Sequence, residues 1–215
     1  EIGQGRPAWN IQDAAIIKKH LGFEIDIHTG GRDNLYRHHD YTLAIMESAS
    51  GKRFCPWWLH GGELIVKGEK MSKSKGNVTY VDDLLDLGFE PFHLRFLLLY
   101  GPYGNKLDLR LSGVELRAGH LDRVRHLVKI LLEGRRKNSK DAGKNLVEEM
   151  RQTFEKCMND NLDYAGAFDG VTDSILRAVH VDKTVGLSSG SRKQLGRVLA
   201  DIDRVLGVLG CEQYM

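Results

Sequence analysis

The segment GEKMSKSKGN, residues 68–77, has the residue types and spacing best suited to chemistry in this sequence. Its lysines alternate with serines, between a glycine at its start and another near its end. Most lysine-rich stretches are solvated surface loops, but ammonium groups, hydroxyls and free backbone N–H groups together also make a phosphate site. A loop that closes over such a site meets charge as it develops in a transition state. Because the GxxxxGK[ST] spacing of a P-loop is missing, we predict a phosphate-binding loop of another type.

The elements that must position this loop follow an α/β pattern. The alternating segment 23–31 predicts a strand that runs into glycines, and 59–68 predicts a strand or hairpin arm that leads into the lysine loop. Apolar residues at helical spacing predict a helix over 9–22 and helical structure over 32–51, where Gly51 stops the run. The lysine loop and the glycines are therefore expected to lie at the ends of strands.

Two more helices are predicted before residue 112: a short one over 83–87 with Asp82 as its cap, and one that Pro91 opens. Beyond residue 112 the pattern is helical throughout, and long amphipathic segments with short polar joins should form a bundle. The four segments are 112–134, 145–160, 163–180 and 189–210. The first is expected to carry an apolar stripe of Leu116, Leu121, Val124, Leu127, Val128 and Leu131.

The predicted fold class is therefore α/β plus all-α, with an α/β domain over 1–112 and a helical bundle over 113–215. A length of 215 residues with 41% hydrophobic residues is enough for a packed core. The net charge of +2 and the isoelectric point near 8.4 are too balanced to indicate a nucleic-acid-binding protein by themselves, although they leave room for a local basic face.

The sequence also predicts a cytoplasmic protein with no membrane segment. No run approaches the roughly 18 apolar residues that a membrane span needs, and the first residues do not have the pattern of a signal peptide. Cys55, Cys157 and Cys211 are scattered and form no CxxC pair, which fits a reducing compartment.

KMSKS at 70–74 is the signature of class I aminoacyl-tRNA synthetases. Its surroundings strengthen the resemblance: GRPAWNIQDAA, DIHTGGRDNLYRHHD, SGKRFCPWWLHGGELIVKGEKMSKSKGN and MNDNLDYAGAF. Together and in this order, from about residue 3 to 210, these segments resemble the second half of the catalytic domain of cysteinyl-tRNA synthetases and the helical domain that follows it. The mycothiol-pathway cysteine ligases share these segments. The resemblance implies a partial Rossmann-type nucleotide-binding half-domain.

The resemblance also implies an ATP site. In this family the lysine loop holds the triphosphate, which assigns Lys70 and Lys73 as catalytic residues, and Lys73 above all. The neighbouring hydroxyls would also bind ATP, and the segment HTGGRD at 28–33 matches part of the adenosine site. The predicted ATP-binding residues are Gly30, Gly31, Asp33, Ser72 and Ser74. Read alone, HTGGRD is a strand-to-helix turn with Asp33 as an N-cap. Mg²⁺ is expected to arrive with ATP.

The amino acid pocket departs from the family pattern. Trp9 matches a tryptophan that lines the pocket. The family holds the substrate thiolate with zinc, and here the three ligand positions inside this chain carry Asp13, His38 and Thr42 in place of Cys, His and Glu. Zinc in such a site needs sulfur and nitrogen ligands in a tetrahedral set. We therefore expect no zinc and no zinc-dependent cysteine recognition, although Asp40 or His39 could take part in a rearranged site.

A second departure concerns the HIGH-type signature of the family, which does not occur in this sequence. Three functions remain open. The chain is part of an enzyme that activates an amino acid as its adenylate and transfers it to tRNA, it is a non-catalytic paralogue that binds RNA or protein, or it is a ligase that joins an amino acid to an amine. As a fragment or truncated paralogue, the piece alone is expected to be inactive.

Basic residues on the predicted bundle could face a tRNA, but acidic residues are interspersed with them, which is equally typical of a solvated helix face. The basic residues are Arg117, Arg123, Arg125, Lys129, Arg135, Arg136 and Lys137.

Overall fold

The computed structural model describes residues 3–134 and 143–211, and within those ranges the chain forms eight α-helices and five β-strands. In chain order they are α1 (Trp9–His20), β1 (Ile27–Gly31), α2 (Asp40–Ser50), β2 (Trp57–Gly61), β3 (Leu64–Val66), β4 (Glu69–Lys70), α3 (Val81–Asp86), α4 (Pro91–Leu99), β5 (Leu107–Asp108), α5 (Leu111–Glu133), α6 (Lys144–Asn159), α7 (Tyr164–Thr184) and α8 (Ser189–Leu206). The predicted class, α/β plus all-α, is confirmed.

The chain divides into two compact units. The first comprises Glu1–Leu64 and Tyr103–Leu107, and the second comprises Ile65–Pro102 and Asp108–Met215. Each unit groups residues that contact one another, so the division differs from the change in composition near residue 112. The domain boundary near residue 112 stays a prediction.

The first unit is built on a parallel pair of strands. β1 and β2 pair from Ile27 opposite Trp57 to Gly31 opposite Gly61, so their carboxyl ends lie side by side. Helices α1 and α2 pack together, and a small core fills this unit. Its buried members are Ala14, Met46, Phe54 and Cys55. Parallel strands of this kind need helical crossovers, which α2 provides between β1 and β2.

The helical structure expected over 32–51 is interrupted. A single 3₁₀ turn covers Arg32–Asn34, and Tyr36 then takes an extended conformation while Arg37 has a φ of 66°. A non-glycine residue in the left-handed region cannot continue a right-handed helix. Regular helix therefore starts only at Asp40, and it ends at Gly51, as predicted, in a left-handed cap.

In the second unit, helices α5 to α8 form the predicted bundle, in which α5 packs on α7 and α8, and α6 packs on α7 and α8. Its core includes Leu121, Leu131, Phe168 and Leu199, all fully buried. Leu116 was expected in the apolar stripe of α5, but it is 71% exposed. The buried positions of α5 begin at Val114 and Ala118 and continue at Leu121, a spacing of three and four that leaves Leu116 on the opposite face.

Two helix ends differ from the sequence prediction. α3 begins at Val81 rather than after Asp82, and the Asp83 carboxylate accepts a 2.7 Å hydrogen bond from the Tyr80 N–H. Asp82 is therefore not the cap. α8 ends at Leu206, because Gly207 takes the left-handed conformation and its N–H donates to the Asp203 carbonyl. No helix in the described ranges is both long and apolar enough to cross a membrane.

The turn after α8 is tied to Asp203, a carboxylate that is only 7% exposed. Its two oxygens accept hydrogen bonds of 2.7–2.9 Å from the backbone N–H groups of Val208, Leu209 and Cys211. Arg125 donates to the Val208 carbonyl from the neighbouring helix. These bonds satisfy buried donors that the end of the helix would otherwise leave without partners.

Candidate functional site

Four histidines of the first unit lie together and are called here the histidine cluster: His28, His38, His39 and His60. His39 is 5% exposed, and its Nδ1 lies 2.9 Å from Nε2 of His60, so one of these nitrogens donates to the other. The ring of His28 lies 4.8 Å from the ring of His39, and the ring of His38 lies 5.4 Å from it. His28 lies on β1 and His60 on β2. The parallel register places His60 opposite Gly30, and the His38 and His39 rings come from the segment that follows β1.

Two members of the histidine cluster, His28 and His39, have lowered pKa values. Burial, followed by the nearby His28 and His60 rings, lowers the pKa of His39 to about 4. Burial and the neighbouring His60 ring also lower the pKa of His28. Nδ1 of His28 is buried with no hydrogen-bond partner in the described part of the chain. The His28 and His39 imidazoles are therefore neutral at pH 7 and add no positive charge to the site.

The pKa of His39 makes the stability of the chain depend on pH. Its folded-state pKa of about 4 lies below the ordinary value of 6.5. The unfolded chain therefore binds more protons between these values, so the free energy of unfolding should fall as the pH drops from 6.5 toward 4. We expect a loss of about 1–2 kcal/mol between pH 7 and pH 5, measured by urea unfolding.

The matched variants are His39→Gln, which should remove most of this pH dependence, and His20→Gln, which changes an exposed histidine of the same unit and should keep it. A wild-type chain that becomes more stable on acidification would contradict the assignment of a neutral, buried His39.

The glycines predicted to bind ATP have their own neighbours in the fold. A side chain at Gly30 would collide with the His39 ring, and one at Gly31 would collide with the Asp33 carboxylate. Gly30 is therefore required by the histidine cluster, whether or not a nucleotide approaches it. Asp33 lies in the 3₁₀ turn that follows β1. All three residues stand at the carboxyl end of β1, where ligands of parallel sheets bind.

Asp13 and His38 form a direct pair. Nε2 of His38 lies 3.0 Å from Oδ2 of Asp13, and the side chains are 22% and 44% exposed. Thr42 is buried, and its hydroxyl donates a 3.0 Å hydrogen bond to the backbone carbonyl of His38. Three of the predicted pocket residues are therefore brought together. The fourth, Trp9, is the first residue of α1 and is 76% exposed, one helical turn before Asp13.

These residues do not fit the zinc that the family resemblance implies. No three side chains of His, Cys, Asp or Glu converge as a metal site anywhere in residues 3–134 and 143–211. Asp13 is already bonded to His38, and the Thr42 hydroxyl is used by the backbone. A neutral alcohol and a single carboxylate–imidazole pair supply one nitrogen, one carboxylate and no sulfur, which is short of the tetrahedral set that a thiolate-binding zinc site uses.

The predicted phosphate-binding loop belongs to the second unit. It starts from a tight hairpin in which Val66 pairs with Glu69, and the two turn residues, Lys67 and Gly68, both have positive φ. Positive φ at both central positions is the geometry that turns one strand directly into the next. Lys70 is therefore placed at the end of a strand, and the remaining loop follows as a 3₁₀ turn over Lys73–Lys75.

Asn77 closes the base of this loop. Its side-chain oxygen accepts a 2.8 Å hydrogen bond from the Ser72 N–H, and its side-chain nitrogen donates to the Lys70 carbonyl at 3.2 Å. Met71, the apolar residue of the loop, accepts a hydrogen bond at its sulfur from the Thr79 N–H. The loop backbone is thus fixed at its base while its cationic side chains remain exposed.

The polar side chains of the loop have different surroundings. Lys75 pairs with Glu69 at 3.2 Å, and the hydroxyls of Ser72 and Ser74 lie 3.3 Å apart. The Lys73 side chain is exposed and makes no hydrogen bond or ion pair with any residue that the structure describes. Of the two lysines in the 3₁₀ turn, Lys73 is thus the one whose ammonium group has no ion-pair partner among the described residues, and its catalytic role stays a prediction.

The sequence did not reveal the roles of three residues of this region. They are His60, Asn77, and His39 as the buried residue whose ring lies next to the other three histidines. A signal was present, because each of the two strands has a histidine shortly before glycines, HTGG at 28–31 and HGG at 60–62. Asn77 belonged to the quoted loop, but nothing in its type indicated that its amide would bridge two backbone segments. The facing of Lys70 and Lys73 toward Gly30 and Asp33 stays a prediction.

A parallel strand pair with glycines at its carboxyl ends, a lysine loop on a hairpin and a helical bundle are the features expected of a class I aminoacyl-tRNA synthetase fold. The family described as tRNA synthetases class I (C) catalytic domain matches residues 1–118. The chain belongs to this family, and the resemblance found in the sequence is confirmed.

The curated relatives belong to the same family. The cysteine–tRNA ligase of Brachyspira hyodysenteriae is 34% identical over 213 residues, which are 98% of this chain and 44% of the relative. That of Oenococcus oeni is 33% identical over 211 residues, 98% of this chain and 45% of the relative. The chain therefore spans less than half the length of these relatives.

Among solved structures, a leucyl-tRNA synthetase of Agrobacterium radiobacter K84, in a ternary complex with tRNA and LeuAMS, superimposes with a TM-score of 0.63. The match covers 87% of this chain and 28% of that one, at 19% identity. At this identity the likeness shows the fold, which fits a partial Rossmann-type half followed by a helical domain.

Proposed function

We propose that the chain is the lysine-loop half of an enzyme that activates an amino acid with ATP and transfers it from the adenylate to tRNA. The observation that carries the proposal is the lysine loop itself. Its base is fixed by Asn77, and it presents Lys73 without a protein partner in the described part of the chain. A fixed backbone holds the exposed ammonium group of Lys73 in a defined place, where it can meet an anion and stabilise charge as it develops.

In the proposed reaction a carboxylate oxygen of the amino acid attacks the α-phosphorus of ATP. A bond forms between that oxygen and the phosphorus, and the bond from the phosphorus to the bridging oxygen breaks, so that pyrophosphate leaves. Negative charge builds up on the departing phosphates, where Lys70 and Lys73 would stabilise it and Ser72 and Ser74 would donate hydrogen bonds. Mg²⁺ bound to ATP would neutralise part of the same charge.

The glycine segment would hold the nucleoside. Gly30 and Gly31 lie at the carboxyl end of β1, and Asp33 lies in the turn that follows. A carboxylate at this place can accept from a ribose hydroxyl, as acidic residues do in dinucleotide sites.

The proposed tRNA partner would meet the bundle, but part of its basic face is used inside the fold. Arg125 donates to the Val208 carbonyl and lies 3.8 Å from the centre of the Phe92 ring. Arg117 lies over the Tyr100 ring. Arg123 and Lys129 remain exposed on α5, whereas Arg135, Arg136 and Lys137 lie outside the described residues.

A second candidate is a non-catalytic paralogue that binds RNA or protein. It is favoured by Asp13 and Thr42, because these residues cannot supply the ligands that cysteine recognition would use. A ligase that joins an amino acid to an amine would use the same adenylate step as the first candidate.

Amino-acid-dependent exchange of pyrophosphate into ATP tests the proposal. We expect the full-length protein that contains this chain to catalyse exchange with one or a few of the standard amino acids, because exchange reports adenylate formation directly. The same assay without an amino acid is the control. An absence of exchange with all of them would favour the non-catalytic paralogue, and exchange without tRNA charging would favour the amine ligase.

A further inference from the structure

We propose that the Asp13–His38 pair selects an amino acid whose side chain carries a hydrogen-bond-donating cation, an ammonium or a guanidinium group. The inference rests on the proposed function, because it concerns the amino acid that the same site would activate.

The first step concerns the position of the pair in the fold. The His39 ring lies against Gly30, the centres of the His38 and His39 rings are 5.4 Å apart, and His38 is hydrogen-bonded to Asp13. This chain of contacts connects Asp13 to the carboxyl end of β1, where a nucleotide would lie. The carboxylate of an amino acid must reach the α-phosphate of that nucleotide, so its side chain would lie against residues next to this end of β1. The contacts through His39 place the Asp13–His38 pair next to it.

The second step concerns hydrogen bonding. Oδ2 of Asp13 is occupied by Nε2 of His38, whereas Oδ1 has no partner in the described residues. The Asp13 side chain is 44% exposed, so Oδ1 is accessible to a ligand. His38 in turn is tied to α2 because its carbonyl accepts from the Thr42 hydroxyl. The pair therefore presents Oδ1 of Asp13 as an acceptor for a ligand's donor.

The third step concerns charge. The neighbouring His28 and His39 imidazoles are neutral at pH 7 because burial lowers the pKa of each. They do not offset the Asp13 carboxylate, and no lysine or arginine pairs with it within the described ranges. A half-exposed carboxylate with a free oxygen favours a cationic donor over a neutral one and repels an anionic one. A thiol offers only a weak donor.

The test uses the full-length protein in the exchange assay with all standard amino acids. We expect kcat/KM for lysine or arginine to exceed that for cysteine and serine at least tenfold. Asp13→Asn should raise the KM for the preferred amino acid at least tenfold, while the KM for ATP changes less than twofold. The matched control is Asp26→Asn, an exposed aspartate of the same unit, which should leave both KM values unchanged.

Two readouts besides activity accompany the assay. The preferred amino acid should raise the melting temperature of the wild-type protein but not of Asp13→Asn, and the purified protein should hold no stoichiometric zinc. His38→Gln, which keeps an N–H donor for Asp13, should fold and show a smaller rise in KM. It therefore keeps the test informative if Asp13→Asn does not fold.

Several results would overturn the inference. Exchange that depends on cysteine and on bound zinc would overturn it and leave the proposed function standing, as would a preference for serine or threonine. An Asp13→Asn variant with a lowered melting temperature but unchanged KM values would show that the pair only ties α1 to the histidine cluster. A full-length protein that catalyses exchange with none of the standard amino acids would overturn the proposed function and this inference together.

Discussion

Lys73→Ala is expected to lower kcat for pyrophosphate exchange by about 10²–10³-fold, the loss typical of removing one group that stabilises transition-state charge. The melting temperature should stay close to that of the wild-type protein, because the Lys73 side chain is exposed and bonded to no described residue. Exchange kinetics of the full-length protein, together with thermal unfolding followed by circular dichroism, measure both quantities.

The matched control is Lys75→Ala in the same 3₁₀ turn. Lys75 already pairs with Glu69 at 3.2 Å, and both side chains are about half exposed or more. Such surface pairs contribute little, about 0–1 kcal/mol, so we expect only small changes in both kcat and stability. Equal losses of kcat in the two variants would indicate a general effect of positive charge. A large drop in melting temperature for Lys73→Ala would assign that lysine to the fold instead of the site.

Asp203→Ala is expected to lower the free energy of unfolding of the helical bundle by about 3–5 kcal/mol. The substitution leaves three buried N–H groups, those of Val208, Leu209 and Cys211, without their acceptor. Hydrogen bonds to a charged acceptor are stronger than neutral ones, and a buried donor that loses its partner keeps the full cost of desolvation. Urea unfolding followed by far-ultraviolet circular dichroism measures the loss, since the bundle contributes most of the helix.

Asp201→Ala provides the comparison on the same helix. Asp201 is exposed and pairs with Arg204 at 3.1 Å, so its removal should change the unfolding free energy by less than about 1 kcal/mol. Similar losses in the two variants would mean that the effect belongs to helix α8 in general. A loss below about 1 kcal/mol for Asp203→Ala would show that water replaces the carboxylate in the turn. In that case the buried C-terminal turn would be far looser than its hydrogen bonds indicate.

The positions that the family resemblance assigns to zinc ligands connect the stability of the proposed site to its specificity. A site that holds its substrate with a metal obtains selectivity from ligand softness, whereas at these positions the structure has a hydrogen-bonded Asp13–His38 pair. A pair of this kind selects by charge and donor geometry, which works only if the surrounding imidazoles stay neutral. The buried, low-pKa His39 is therefore a condition for the specificity that we propose.

The sequence by itself determined the features that depend on near neighbours along the chain. These are the four amphipathic helices of the bundle, the left-handed stop at Gly51 and the exposed lysine loop with Lys73. Hydrophobic spacing and glycine placement act over a few residues, so they can be read without knowing the fold. The class I synthetase family was also recognisable, because its motifs are contiguous segments.

Only the tertiary structure decided which distant groups meet. The register of β1 and β2 brings His60 to His39, although 21 residues separate them, and the break at Arg37 starts α2 three residues later. The structure also shows that Gly30 makes room for an imidazole. Strand register and burial arise from the packing of the whole unit, and the neutral state of the histidines follows from that burial. No local pattern encodes them, which is why the lysine loop could be predicted and the histidine cluster could not.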